Sequence, residues 1–140
     1  MEKILVAIDG KHGAWEALSH ACSLAKRIHV QLNVLLVISL TRGHHSQVET
    51  DTEDHIKKRL ELLIEAAKSE GITINYFIAE GNYDDEVINF INHNKITLLV
   101  HETPESNTRP ASNERAASLR SLRHRIACKM EVVAPKKSCT

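Results

Sequence analysis

Glycine is scarce in this chain, with five in 140 residues and none after Gly81. A phosphate-binding loop made of closely approaching glycine backbone is therefore excluded from the C-terminal part. Cysteine is limited to Cys22, Cys128 and Cys139, with no C-x-x-C, so neither a zinc ribbon nor a thioredoxin-like redox pair fits. Free buried thiols in a reducing cytosol are the plain reading. Charge of either sign is not in excess: 18 basic and 18 acidic residues cancel. A general nucleic-acid binder needs a net basic surface, so that class is excluded. No apolar run approaches the ~20 residues of a membrane span. The opening Met1–Val6 also lacks the form of a signal peptide, its apolar run being short and ending at Asp9. These absences lead to the expectation of a cytoplasmic protein with no membrane partner.

What is present is ordinary for a globular domain: 42% apolar and 26% charged residues in 15.7 kDa. A chain of this length is expected to form one domain, with a core over about 3–135 and a short tail over 136–140. Such a domain buries roughly 70% of its unfolded surface and needs no staples.

Apolar runs alternate with helical periods. Ile4–Ile8 reads as a strand buried on both faces, ending at Asp9-Gly10. Trp15, Leu18, Ala21, Cys22, Ala25 and Ile28 form one helical stripe. Leu32–Ile38 reads as a second strand, apolar on both faces. Thr50-x-x-Glu53 suggests a capping box for a second helix, with Ile56, Leu60, Leu63, Ile64 and Ala67 as its stripe and Gly71 as its stop. Ile72, Ile74, Tyr76 and Ile78 alternate, which suits a more exposed strand. Asn82 and Asp85 open a short helix carrying Val87, Ile88 and Ile91. Ile96–Val100 is a fourth strand, and His101–Ala111, with two prolines, is a loop. Leu119, Leu122 and Ile126 mark a fourth helix, and Met130–Ala134 closes the fold before Pro135. The alternation implies an α/β fold: a parallel sheet with helices on both faces. Ligands in such folds bind beyond the carboxyl ends of the strands, which directs attention to Asp9-Gly10, Val37-Ile38 and His101-Glu102.

The ordered set Lys3–Gly10, Ala14–Ala25, Leu35–Ile38, Gly81 with Val87-Ile88, Ile96–Val100 and Cys128–Pro135 resembles the universal stress protein family over nearly the whole chain. The resemblance implies a Rossmann-like, five-stranded sheet in the order 3-2-1-4-5. It also implies a homodimer, often paired through the last strand, which here presents Met130, Val132 and Val133. Many members bind ATP and others do not. Those that do carry G-x-x-G-x9-G-[S/T] after the fourth strand. In this chain His101 stands at the first glycine and Pro104, which lacks an N–H, at the second. The closing pair is sought around Ala116-Ala117 or Ala117-Ser118, where again there is no glycine. ATP held in the family manner is therefore not expected, and no cofactor is assigned. The adenine side is better kept, Asp9 matching the acid that ends the first strand and Val37 a backbone contact on the second. Asp9 equally suits a cap on the turn that follows it.

Other clusters have bland readings beside sharp ones. Asp9, His12 and His101 are candidates for a metal or proton-transfer site, but nine histidines in the chain make chance proximity the simpler account, and no metal is assigned. His44-His45 with Asp51, Asp54 and His55 matches no zinc spacing. Arg109 and Arg115 begin a basic stretch running to Lys129, suited to an anion or to an acidic partner. Ser112, Ser118 and Ser121 are phosphoacceptor candidates, with Ser112 equally a helix cap. No catalytic residue is assigned. A receiver domain lacks its acidic pair, a flavodoxin its phosphate loop and a serine hydrolase its G-x-S-x-G elbow. The reading is a non-enzymatic stress-response or regulatory module, acting as a dimer and through a protein partner. The alternative is a nucleotide- or anion-binding switch in which Arg109 and Arg115 stand in for the glycine loop, with Asp9, Val37, His101 and Ser118 around the ligand.

Overall fold

The structure is a computed structural model that describes residues 2–10, 14–38, 47–102, 124–126 and 128–133. Five strands, β1 (Glu2–Asp9), β2 (Val30–Ile38), β3 (Ile74–Glu80), β4 (Leu98–Glu102) and β5 (Lys129–Val133), form one sheet in the order β3-β2-β1-β4-β5. Every neighbouring pair is parallel. Among the described residues three helices, α1 (Trp15–Arg27), α2 (Gln47–Ser69) and α3 (Tyr83–Asn94), connect β1 to β2, β2 to β3 and β3 to β4.

The expected order and fold class are what the structure shows. β1 is central, so both of its faces must be covered, and its Ile4–Ile8 run is apolar at every position for that reason. Ile4, Val6 and Ile8 join Val34 and Leu36 beneath α1 and α2. Leu5 and Ala7 join Leu35 and Val37 beneath Val87, Ile88 and Ile91 of α3. Pleating therefore sends alternate residues of one strand into two separate cores.

Asn82 caps α3 as read, its side chain accepting from the Asp85 N–H at 3.2 Å. Trp15 is a partly buried member of the α1 core, with the Arg59 guanidinium 4.4 Å above its ring.

Several local readings are corrected. Helix α2 begins at Gln47, so Thr50 lies inside it and Thr50-x-x-Glu53 is not a capping box. Leu63 is 38% exposed, and the core contacts of α2 come from Ile56, Leu60, Ile64 and Ala67. Ile28 follows the last turn of α1 as its C-cap and is 52% exposed, which removes it from that stripe. Strand β4 extends through His101 and Glu102, so neither is a loop residue. The β2 run is not purely apolar. Asn33 is buried within it, donating to the Ile4 carbonyl at 3.1 Å and accepting from the Asn75 amide at 3.2 Å. A buried amide is tolerated when it is hydrogen-bonded in this way. Of the fourth predicted helix, His124 and Arg125 are helical and Ile126 packs on the α3-side core, while Leu119 and Leu122 lie outside the described residues.

Candidate functional site at the carboxyl edge

Strand β1 ends at the half-buried Asp9, whose register partner on β2 is Val37. The chain turns at once, and the Gly10 N–H donates to the Val37 carbonyl at 2.9 Å. A Cβ on Gly10 would stand 3.3 Å from that same oxygen and 3.5 Å from Cγ of the buried Glu53. The glycine thus permits a close backbone approach that a larger residue would crowd.

On the other side of β1, β4 delivers His101 and Glu102 to opposite faces. His101 is 5% exposed and meets the Tyr83 ring edge-on, with centroids 6.0 Å apart. The Tyr83 hydroxyl reaches the Ala7 carbonyl at 3.4 Å, which ties the start of α3 to the sheet. Strand alternation places Ala7, Asp9 and His101 on this α3 side.

Glu102 faces α1. Its Oε1 accepts the Glu16 N–H at 3.0 Å, at the first turn of the helix. The N-cap residue Ala14 offers no side-chain acceptor. A carboxylate from a strand far away in sequence therefore does what Ser, Thr, Asp or Asn does in most helices, and meets the positive end of the helix dipole. The start of a first helix in such a fold is an anion site. Here a protein carboxylate occupies it.

Asp9 and Val37 are register partners at the carboxyl ends of β1 and β2, and His101 lies near the carboxyl end of β4, the strand on the other side of β1. His12, His44, His45, Arg109, Arg115, Ser112, Ser118 and Ser121 lie outside the described residues. A strict count of nine residues after Pro104 puts the closing pair of the family motif at Glu114-Arg115, so the placement around Ala116–Ser118 requires an insertion; neither stretch contains glycine. Asp54 and His55 are exposed on α2. Among the described residues, no three His, Cys, Asp or Glu side chains are grouped to hold a metal ion. Sequence reasoning missed Tyr83, marked Glu102 only as a strand-end position and read Glu53 only as part of a capping box. Their roles come from contacts between distant segments, which carry no local pattern.

Met130 packs partly into the α3-side core and Val133 into the α1-side core, while Val132 pairs in register with His101. On the α1 side His20 Nε2 and Glu131 Oε1 are 2.8 Å apart, which joins α1 to this edge strand. No helix among the described residues is long and apolar enough to cross a membrane.

These features define an open, doubly wound α/β domain, a class in which ligands bind beyond the carboxyl ends of the strands. The sequence profile of the universal stress protein family matches residues 1–111, and the chain belongs to that family. Solved structures agree in fold. The universal stress protein UspA from Lactobacillus plantarum is 19% identical, with 94% of this chain and 97% of that one covered at a TM-score of 0.72. A universal stress protein in complex with cAMP is 16% identical, with coverage of 94% and 96% at a TM-score of 0.67. One from Archaeoglobus fulgidus in complex with dAMP is 17% identical, with coverage of 97% and 98% at a TM-score of 0.59. No curated protein sequence matches the chain.

Proposed function

We propose that this universal stress protein is a non-enzymatic regulatory module that acts as a cytoplasmic homodimer and engages a protein partner, without holding ATP in the manner of the glycine-loop members. The observation that carries this reading is the Glu102–Glu16 hydrogen bond of 3.0 Å. It sets a carboxylate at the positive end of α1, directly after His101, where the glycine-loop members begin their phosphate cradle. A triphosphate approaching that end meets the charges of Asp9, Glu53 and Glu102 and finds the Glu16 N–H already engaged.

The dimer is assigned to β5, with Met130, Val132 and Val133 in the interface. Among the described strands it is the outermost on its side of the sheet, and edges are either guarded or paired. Light scattering at micromolar concentration is expected to give a dimer, and a monodisperse monomer would remove this part of the reading.

A second reading has its own support. Two proteins similar in fold are described with cAMP and with dAMP. Asp9 and Val37 lie side by side in this chain as an adenosine site would need. In that reading the ligand sits between Asp9, Val37 and His101, and Arg109, Arg115 and Ser118 bring the charge and hydrogen bonds to its phosphate. Calorimetric titration with ATP and magnesium at about 100 µM protein separates the two, since that concentration detects binding weaker than micromolar. Absence of heat supports the module, and saturable binding supports the switch.

A further inference from the structure

A cleft opens at the amino end of the sheet, opposite Asp9 and His101, with a volume of about 390 Å³. That is the size of small-molecule sites. Its floor is the α3-facing side of three strands: Lys3 of β1, Gln31 and Asn33 of β2, and Asn75 and Phe77 of β3. Register explains the grouping, since Lys3 lies beside Gln31, and Asn33 beside Asn75. The last turn of α3 forms the wall, with His93, Asn94 and Lys95.

The chemistry of this lining is one-sided. It holds two lysines, a histidine and four carboxamides, and no carboxylate. No ion pair among the described residues engages Lys3 or Lys95. The negative end of α3 is partly masked, because His93 Nδ1 donates to the Asn89 carbonyl at 2.8 Å and Asn94 Nδ2 to the Phe90 carbonyl at 3.1 Å. Asn33 is 4% exposed, and its two hydrogen bonds fix the Asn75 amide in the floor. Phe77 is the apolar element. It is 41% exposed and held by an edge contact with Phe90 at 5.0 Å.

We infer that the amino-end cleft binds a small phosphorylated sugar, with its phosphate at Lys3 and Lys95, its hydroxyls on the amides of Gln31, Asn75 and Asn94, and its ring face on Phe77. Lysine ammonium groups are point donors suited to phosphate. Carboxamides both donate and accept, as a hydroxyl requires. A half-exposed aromatic ring offers an apolar surface to the C–H face of a sugar. This site lies at the far end of the sheet from Asp9 and His101, so it is independent of the nucleotide question.

The test is a titration of the full chain with glucose 6-phosphate, glucose and inorganic phosphate, followed by two-dimensional ¹H–¹⁵N NMR. Side-chain amide resonances of Asn33 and Asn75 report directly on the floor. Glucose 6-phosphate is expected to move them saturably, and each of the other two probes to bind about tenfold or more weakly, as each lacks half of the contacts. Lys3→Gln and Lys95→Gly are each expected to weaken binding about fivefold or more. Lys95 has φ +52°, which glycine adopts without strain, so the second variant keeps the fold while losing the charge. The inference is overturned if Asn33 and Asn75 do not respond, if both lysine variants bind like the parent, or if inorganic phosphate alone binds as tightly as the sugar phosphate.

Discussion

Glu102→Ala tests the link between the fold and the proposed loss of ATP. The substitution removes the acceptor of the Glu16 N–H at the start of α1, and Ala14 provides no replacement. Loss of an N-cap acceptor costs about 1 kcal/mol. Loss of a carboxylate at the dipole's positive end adds about 0.3–1 kcal/mol, with the lower part of that range fitting a half-buried, partly screened group. The expected destabilisation is therefore about 1–2 kcal/mol. Glu102→Gln keeps an acceptor and loses only the charge, so about 0.5 kcal/mol is expected. Urea denaturation at pH 7 is the assay. With a slope of about 2 kcal/mol per molar, Glu102→Ala lowers the midpoint by roughly 0.5–1 M and leaves the slope unchanged.

The same variant has a binding arm. If the Glu102 carboxylate keeps phosphate from the start of α1, its removal lets ATP with magnesium bind measurably where the parent gives no heat. A Glu102→Ala protein as stable as the parent to within about 0.3 kcal/mol would refute the capping argument. A normally destabilised variant that still ignores ATP would refute the electrostatic barrier and leave the missing glycines as the sole cause.

Lys95→Gly relieves a left-handed backbone at the end of α3 and should stabilise by about 0.5–1 kcal/mol, read as a rise in urea midpoint. Leu60→Ala, at a fully buried position of α2, should cost about 2–5 kcal/mol by the same measurement. Burial holds the thiols of Cys22 and Cys128 above their ordinary value of 9.0. Both should therefore react with iodoacetamide more slowly than free cysteine at pH 8 and catch up only as the pH climbs well past 9.0. The sign for folding follows: the folded thiols hold their protons more tightly than the unfolded ones, so their contribution is intact below that value and is lost as pH rises through it.

The layout of the fold was legible because central parallel strands carry a distinctive pattern. Ile4–Ile8 is apolar at five successive positions, which only a strand covered on both faces requires. Asn82 was legible because its cap is local, three residues from its partner. Ends of elements were less legible. Thr50 looked like a cap because the capping pattern also occurs inside helices, and only the position of Gln47 decides between them. Asn33 was hidden inside an apolar run, since its justification is Asn75, 42 residues away. Glu102 was hidden for the same reason, its partner lying 86 residues back. Asp9 and Val37 could be placed at strand ends, but which groups share the edge with them depends on packing between layers.

A zero net charge conceals an ordered separation. In a parallel α/β sheet every connecting helix starts at the carboxyl edge and ends at the amino edge. The helix dipole favours acids at the start and bases at the end. Accordingly α3 opens with Asp84, Asp85 and Glu86 and closes with His93, and α1 closes with Lys26 and Arg27. The strand ends add Asp9, Glu80 and Glu102 to the carboxyl edge and Lys3 and Lys129 to the amino edge. Among the described residues Glu2, Glu70 and Arg125 run against the trend; Glu70 is offset by Lys26 at 3.4 Å, and Arg125 pairs with Asp85 at 3.1 Å. Capping preferences that act helix by helix thus sum to a field across the domain. In most folds of this class a glycine-rich loop reverses that field locally and lets phosphate bind at the carboxyl edge. This chain has no glycine after Gly81 to do so, and it adds Glu102. Among the described residues Lys3 and Lys95 stand at the basic end of this field, the end at which the amino-end cleft opens and at which the proposed phosphate would sit.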